Sequence, residues 1–203
     1  MMKTDVIEFF NRLAPEWDSG MIKDDRIIGK ILDSAGVKQG SRVLDVACGT
    51  GVLFPYYLER GAKSITGIDI SPAMTEIAAE KFSGDERVTI LTGDAETALF
   101  DGKFDCIVIY NAFPHFPGQE KLIEHLERLL TPNGRLTVAH GMSRKKLDCH
   151  HSGTASRVSV GLMSELALAE IFSRCLDVCM VISDDEMYQV TGKKKIKKQE
   201  NNT

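Results

Sequence analysis

Long apolar runs are missing from this chain, as is most of what staples or exports a secreted one. No stretch approaches the ~18 consecutive apolar residues that a membrane-spanning helix needs. Five scattered cysteines in 203 residues are odd in number and too few for a disulfide framework, and they fit a reducing, cytoplasmic setting. The opening MMKTDVIEFFNRLAPEW has no continuous apolar core and no small-residue cleavage site, so a secretory signal is not expected. A basic surface is missing too. KKKIKK, residues 193–198, holds five of the 25 basic residues, and Glu200 is the one acid beyond residue 192. Residues 1–192 therefore carry 20 basic and 28 acidic groups, a formal charge of −8. Such a body is poorly suited to a nucleic-acid duplex. The expectation is one domain over residues 1–192, with N-terminal helices or a lid over 1–36, and a basic, disordered tail over 193–203.

What is present is alternation. SRVLDVA, KSITGIDI, RVTILTGD, KFDCIVIYNAF and RLTVAH read as buried strands, with helical stretches VLFPYYLERGA, SPAMTEIAAEKF and QEKLIEHLERLL between them. Ser71 followed by Pro72 is a helix start, because proline's missing N–H costs nothing at the first helical position. Thr131-Pro132-Asn133-Gly134 reads as a turn ahead of strand five. DDRIIGKILDSAGV and GLMSELALAEIF read as further helices, and two more strands are expected near 175–182 and 185–191. GMSRKKLDCHHSGTASRVSV reads as polar and irregular. Near-continuous apolar strands separated by helices imply an α/β fold, a doubly wound, mostly parallel, seven-stranded sheet with helices on both faces. Ligands of such sheets bind beyond the carboxyl ends of the strands.

There the chain carries LDVACGTGVL, residues 44–53. Gly49 and Gly51 leave backbone bare, so something must come close to it. A Walker phosphate loop needs a lysine after its glycines, and none follows. A dinucleotide turn needs a third glycine where its helix packs near the pyrophosphate; that position is Phe54, with Pro55 beside it. What remains is an acid, Asp45, ahead of a glycine pair.

On these residues the chain resembles class I S-adenosylmethionine-dependent methyltransferases of small-molecule type. VLDVACGTGVL is similar to the first motif of that family, GIDIS to the second, TGDAE to the third, FDCIVIYNAFPHF to the fourth, and LLTPNGRLTV to the approach to strand five. FNRLAPEWD resembles a segment ahead of the core, and order and spacing agree over about residues 9 to 140. HGMSRKKLDCHH distantly resembles a stretch in relatives of menaquinone- and ubiquinone-type methyltransferases, with Asp148 where asparagine is usual. The resemblance implies a Rossmann-like fold, S-adenosyl-L-methionine as methyl donor and S-adenosyl-L-homocysteine as product. Asp45 would orient the ammonium end, and Ala47, Gly49 and Gly51 would form the turn around the donor. Asp69 would accept from the ribose hydroxyls and Ile70 would pack on adenine. Asp94 and Ala95 would meet the adenine edge, and Asn111 would wall the methyl group. Taken one at a time, Asp45 and Asp69 also suit helix capping.

The implied partner is a small-molecule methyl acceptor, with no nucleic acid, no stable membrane insertion and a homodimer allowed. The alternative is a non-catalytic adenosylmethionine- or nucleotide-binding sensor or partner subunit. Phe113 and Phe116 are expected to make the pocket apolar. Four of the five histidines fall at the functional edge. His115, His150 and His151 are the candidates to deprotonate an acceptor, and His140 ends strand five. Polar loop histidines bonded to backbone are the alternative reading. Adjacent His150 and His151 are poorly spaced for one metal ion, so no metal is expected. Cys175 and Cys179, on an apolar stretch, read as core.

Overall fold

The computed structural model describes residues 1–21, 23–151 and 156–196, with the side chains of 148–151 and 156 outside the description. Five strands, β1 (Arg42–Val46), β2 (Ser64–Asp69), β3 (Val88–Thr92), β4 (Phe104–Tyr110) and β5 (Leu130–His140), run parallel. A closing hairpin of β6 (Leu176–Ser183) and β7 (Tyr188–Lys194) joins them, β7 lying antiparallel to both β5 and β6. The order is β3-β2-β1-β4-β5-β7-β6. The chain winds outward in opposite directions from β1 and β4, and the crevice between their carboxyl ends is the switch point where such sheets bind ligands.

The helices are α1 (Lys3–Leu13), α2 (Asp25–Ala35), α3 (Phe54–Glu59), α4 (Pro72–Phe82), α5 (Gln119–Arg128), α6 (Arg144–His151) and α7 (Glu165–Cys175). Side chains alternate across the sheet, so β4 feeds two cores. Ile107 and Ile109 pack with Leu122, Ile123 and Leu126 of α5 and Phe172 of α7. Cys106 and Val108 pack on the other face with Ile28, Ile31 and Leu32 of α2 and Tyr57 of α3. Helix starts follow local chemistry. The Asp24 carboxylate accepts from the N–H groups of Arg26 and Ile27 at 3.0 and 3.1 Å, and Ser71 Oγ accepts from Met74 N–H at 3.2 Å.

Four local expectations are corrected. Strand β5 begins at Leu130, not at Arg135. Leu130 pairs with Phe104 and Arg135 with Cys106, and the expected turn is an excursion within the strand, with Asn133 left-handed at φ 68°. Residues 144–151 are helical rather than irregular; among the side chains described there Leu147 is buried, and the polar run around it carries no apolar period to read. The tail does not begin at Lys193. Lys193 pairs with Arg135 and Asp177 inside the sheet, and Lys194 Nζ meets Glu127 Oε1 at 2.6 Å, so packing overrides the like-charge run. Residues 197–203 lie outside the described residues. Finally, Cys179 is exposed, because it shares the outward face of edge strand β6 with Asp177, Val181 and Ser183.

Gly51 is a glycine that both packing and backbone conformation require. Its φ is +80°, and a Cβ there would lie 2.7 Å from Phe82 Cε2 and 3.0 Å from Phe54 Cδ2. Gly51→Ala is expected to lower stability by about 2–4 kcal/mol, from left-handed strain plus overpacking. Urea unfolding checks this: the midpoint should fall with the slope unchanged.

Candidate active site

Every parallel strand ends at the same edge, and the connections leaving it enclose a cavity of about 580 Å³. Its floor is the turn after β1. Ala47 takes a left-handed conformation at φ 56°, and Gly49 does so at φ 54°. For alanine this costs about 1–2 kcal/mol, and it turns the chain so that the Gly49 N–H faces β2. There the Asp69 carboxylate accepts from Gly49 N–H at 2.8 Å and from Ser71 N–H at 2.9 Å. Burial pushes the pKa of Asp69 up, against the bonds from Ser71 and Gly49. A Cβ on Gly49 would lie in ordinary contact with Trp17 Nε1 at 3.7 Å, so what favours glycine here is the left-handed φ.

Asp45, at 2% exposure, also lines the cavity. Its pKa is held well above the carboxylate range, first by burial and further by the charge of Asp69, while the Tyr57 hydroxyl opposes the shift. Ala47, Ile70, Asp94, Ala95 and Asn111 line the same cavity. Gly51 does not: its open face is filled by Phe54 and Phe82, so its place is in packing, not against a ligand. Phe113 is likewise corrected. It is wholly buried in the α5 core, and Phe116 faces the cavity.

The roof is the N-terminal segment, latched by side chains to three loops. Lys3 Nζ pairs with Asp94 Oδ2 and Glu96 Oε2. Burial works against the lysine's charge, but the two carboxylates outweigh it and raise its pKa. Asn11 Oδ1 accepts from Ser71 Oγ at 2.7 Å and from Ala73 N–H at 3.2 Å. Asp18 accepts from Thr50 Oγ1 at 2.5 Å and pairs with Lys81 Nζ at 2.7 Å. Val6, Phe9, Phe10 and Leu13 turn toward the cavity at helical spacing. The lid expectation is thereby given its contacts. Lys3 was not legible beforehand, since nothing in its neighbourhood marks it as the partner of a loop 91 residues away.

At the far end His115 closes the one-turn 3₁₀ helix Phe113–His115. Its Nδ1 lies 2.6 Å from the Val158 carbonyl; a carbonyl can only accept, so Nδ1 carries the proton. The ring stands edge-on to Phe10, with centroids 5.0 Å apart. Asn111 is left-handed at φ 54°, and its Oδ1 accepts from Gly141 N–H at 2.9 Å, clamping β4 to β5. His140, Tyr110, Met142 and Leu147 complete the wall. Tyr110 and Leu147 had no sequence signal beyond their place at strand ends and in the following loop. His150 and His151 end α6, but their side chains lie outside the described residues, so the structure adds no contact for them. Among the described residues no group of three or more His, Cys, Asp or Glu could hold a metal ion, and no helix is long and apolar enough to cross a membrane.

This topology and this cleft define a class I methyltransferase fold. Residues 43–134 match the family model for a methyltransferase domain. It is similar to the demethylmenaquinone methyltransferase of Thermus thermophilus, 35% identical over 137 residues, covering 64% of this chain and 62% of that protein. It spans between 39% and 62% of the length of the first curated relatives it matches. In fold it is similar to magnesium protoporphyrin IX methyltransferase of Synechocystis with bound S-adenosylhomocysteine, with TM-score 0.71 and 19% identity over 96% of this chain and all of that one. It is also similar to a chain of the Haloferax volcanii complex between the Trm112 methyltransferase activator and a methyltransferase, with TM-score 0.76 and 19% identity over 92% and 98%.

Trp17 is the sole tryptophan, so its emission reports on the roof. Lys3→Ala is expected to loosen α1, red-shifting Trp17 emission and increasing its quenching by acrylamide. Global stability should fall by no more than about 1 kcal/mol, because the pair is half-exposed and screened. An unchanged quenching constant would show that Lys3 does not hold the roof.

Proposed function

We propose that this protein transfers a methyl group from S-adenosylmethionine to a small-molecule acceptor. The observation that carries this reading is the charge inside the cavity. Three aspartates, Asp45, Asp69 and Asp94, face it, and Lys3, tied to Asp94 and Glu96, is the one lysine or arginine among the described residues that lines it. A diphosphate entering here would meet carboxylates. A nucleoside with a cationic amino-acid arm meets what it needs. The bare, left-handed Gly49 leaves room for the arm, Asp45 takes the ammonium, and Asp69 has lone pairs to spare for two ribose hydroxyls. Ile70 packs on the base, with Asp94 and Ala95 at its edge.

Bound there, S-adenosylmethionine supplies a methyl group already activated by its sulfonium. The chain's residues then have to align an acceptor and exclude water. Proximity of this kind is worth ~7–11 kcal/mol at best. Phe10, Phe116, Met142 and Leu147 make the acceptor end apolar, and the latched α1 closes it, which favours a small acceptor over a polymer. His115, on the cavity wall with its Nδ1 bonded to the Val158 carbonyl, is the candidate base for an acceptor that must lose a proton. That feature favours an enzyme over a silent sensor. His150 and His151 stay in the proposal as further candidates from the same loop region.

Calorimetry decides the donor: S-adenosylmethionine and S-adenosylhomocysteine are expected to bind and nicotinamide dinucleotide is not. Dinucleotide binding alone would overturn the proposal. Asp69→Ala should weaken S-adenosylmethionine binding by more than tenfold. With an acceptor found by metabolite screening, His115→Asn should lower kcat by about 10²–10⁴-fold while the dissociation constant of the donor holds; an unchanged kcat would remove the base.

A further inference from the structure

We infer that Asp45 carries a proton in the empty cavity and gives it up to solvent when an ammonium group docks, making ligand binding an exchange of proton for cation. This rests on the reading of the cavity as an adenosylmethionine site.

The geometry sets two buried carboxylates in one cavity and treats them differently. Asp69 is held by two backbone N–H donors at 2.8 and 2.9 Å, which favour its charged form. Asp45 has no such donors. From α3 it faces the buried Tyr57 hydroxyl, a single neutral group whose effect opposes burial without outweighing it. From β2 it faces the Asp69 charge, and from the glycine turn the Cys48 thiol, which burial above all keeps protonated. No cation is among the groups acting on Asp45. The nearby lysines are committed elsewhere, Lys3 to Asp94 and Glu96 and Lys81 to Asp18 and Thr50. Two charges cannot both stay buried without compensation, so the proton of the pair resides on the carboxyl that lacks backbone donors. Burial and the neighbouring charge act on its titration in the same direction.

When an ammonium arrives, the Asp45 O–H bond breaks, the proton leaves to buffer, and the new carboxylate pairs with the cation. The ammonium charge takes the place of the proton at Asp45, so that pair is neutral before and after and burying it leaves no uncompensated carboxylate.

The test is calorimetry on the full chain at pH 6, where an α-amino group of pKa about 8 is protonated, in buffers of different ionisation enthalpy. The two probes are S-adenosylhomocysteine and 5′-methylthioadenosine, which shares the nucleoside thioether but lacks the amino-acid arm. The heat for S-adenosylhomocysteine is expected to vary with buffer ionisation enthalpy, with a slope approaching one proton released. The heat for methylthioadenosine is expected to be independent of buffer. Affinity for S-adenosylhomocysteine should rise with pH, by up to ~tenfold per unit, while Asp45 is protonated in the free protein, and then level off. Buffer-independent heats for both ligands overturn the inference and leave the donor reading standing. Equal slopes for both also overturn it, by placing the proton away from the ammonium site. Binding of neither compound overturns the donor reading, and this inference with it.

Discussion

A buried carboxylate with no cation beside it must be held by backbone amides, and at Asp69 that requirement joins two loops. One oxygen takes the Gly49 N–H from the turn after β1, and the other takes the Ser71 N–H at the start of α4. The first bond fixes the turn in a left-handed conformation that glycine adopts freely at 49 and that alanine adopts under strain at 47. The second orients Ser71, whose hydroxyl caps α4 and meets Asn11 from the roof. Floor, helix start and lid are thus referred to one side chain. Capping and ligand binding, set against each other in reading the sequence, are compatible, because a carboxylate that accepts two amides still has lone pairs facing the cavity.

The architecture was legible because its signals are periodic. The apolar strands, the amphipathic α2 and the Ser-Pro start of α4 each carry a pattern that packing merely confirms. In the candidate site, residue type and chain position bring Asp45, Gly49, Asp69 and His115 to the wall of one cavity. Legibility failed where a tertiary contact decided the outcome against a local pattern. Thr131-Pro132-Asn133-Gly134 has every mark of a turn, yet pairing with β4 resumes on both sides of it. The lysine run looks solvated, yet Lys194 is neutralised by Glu127 and drawn into a strand. Gly51 belongs to the same motif as Gly49, but one looks into the cavity and the other into Phe82, a difference of direction that sequence spacing does not encode.

The roof is held by polar contacts at its edges and apolar ones beneath. Single exposed ion pairs contribute ~0.2–1 kcal/mol each, so no one latch determines closure. Lys3, Asn11 and Asp18 reach loops that follow three different strands, and each loop also carries a residue of the proposed donor site. A ligand that orders these loops would therefore tighten the latches without touching them, and a roof already latched would meet the ligand with its loops in place. Neither the roof nor the floor supplies a positive charge of its own to the interior. The lysines that could have done so are spent at the rim on carboxylates. On the proposed reading, the cavity draws its compensating cation from the ligand, which is how its electrostatics would select a cationic, phosphate-free nucleoside.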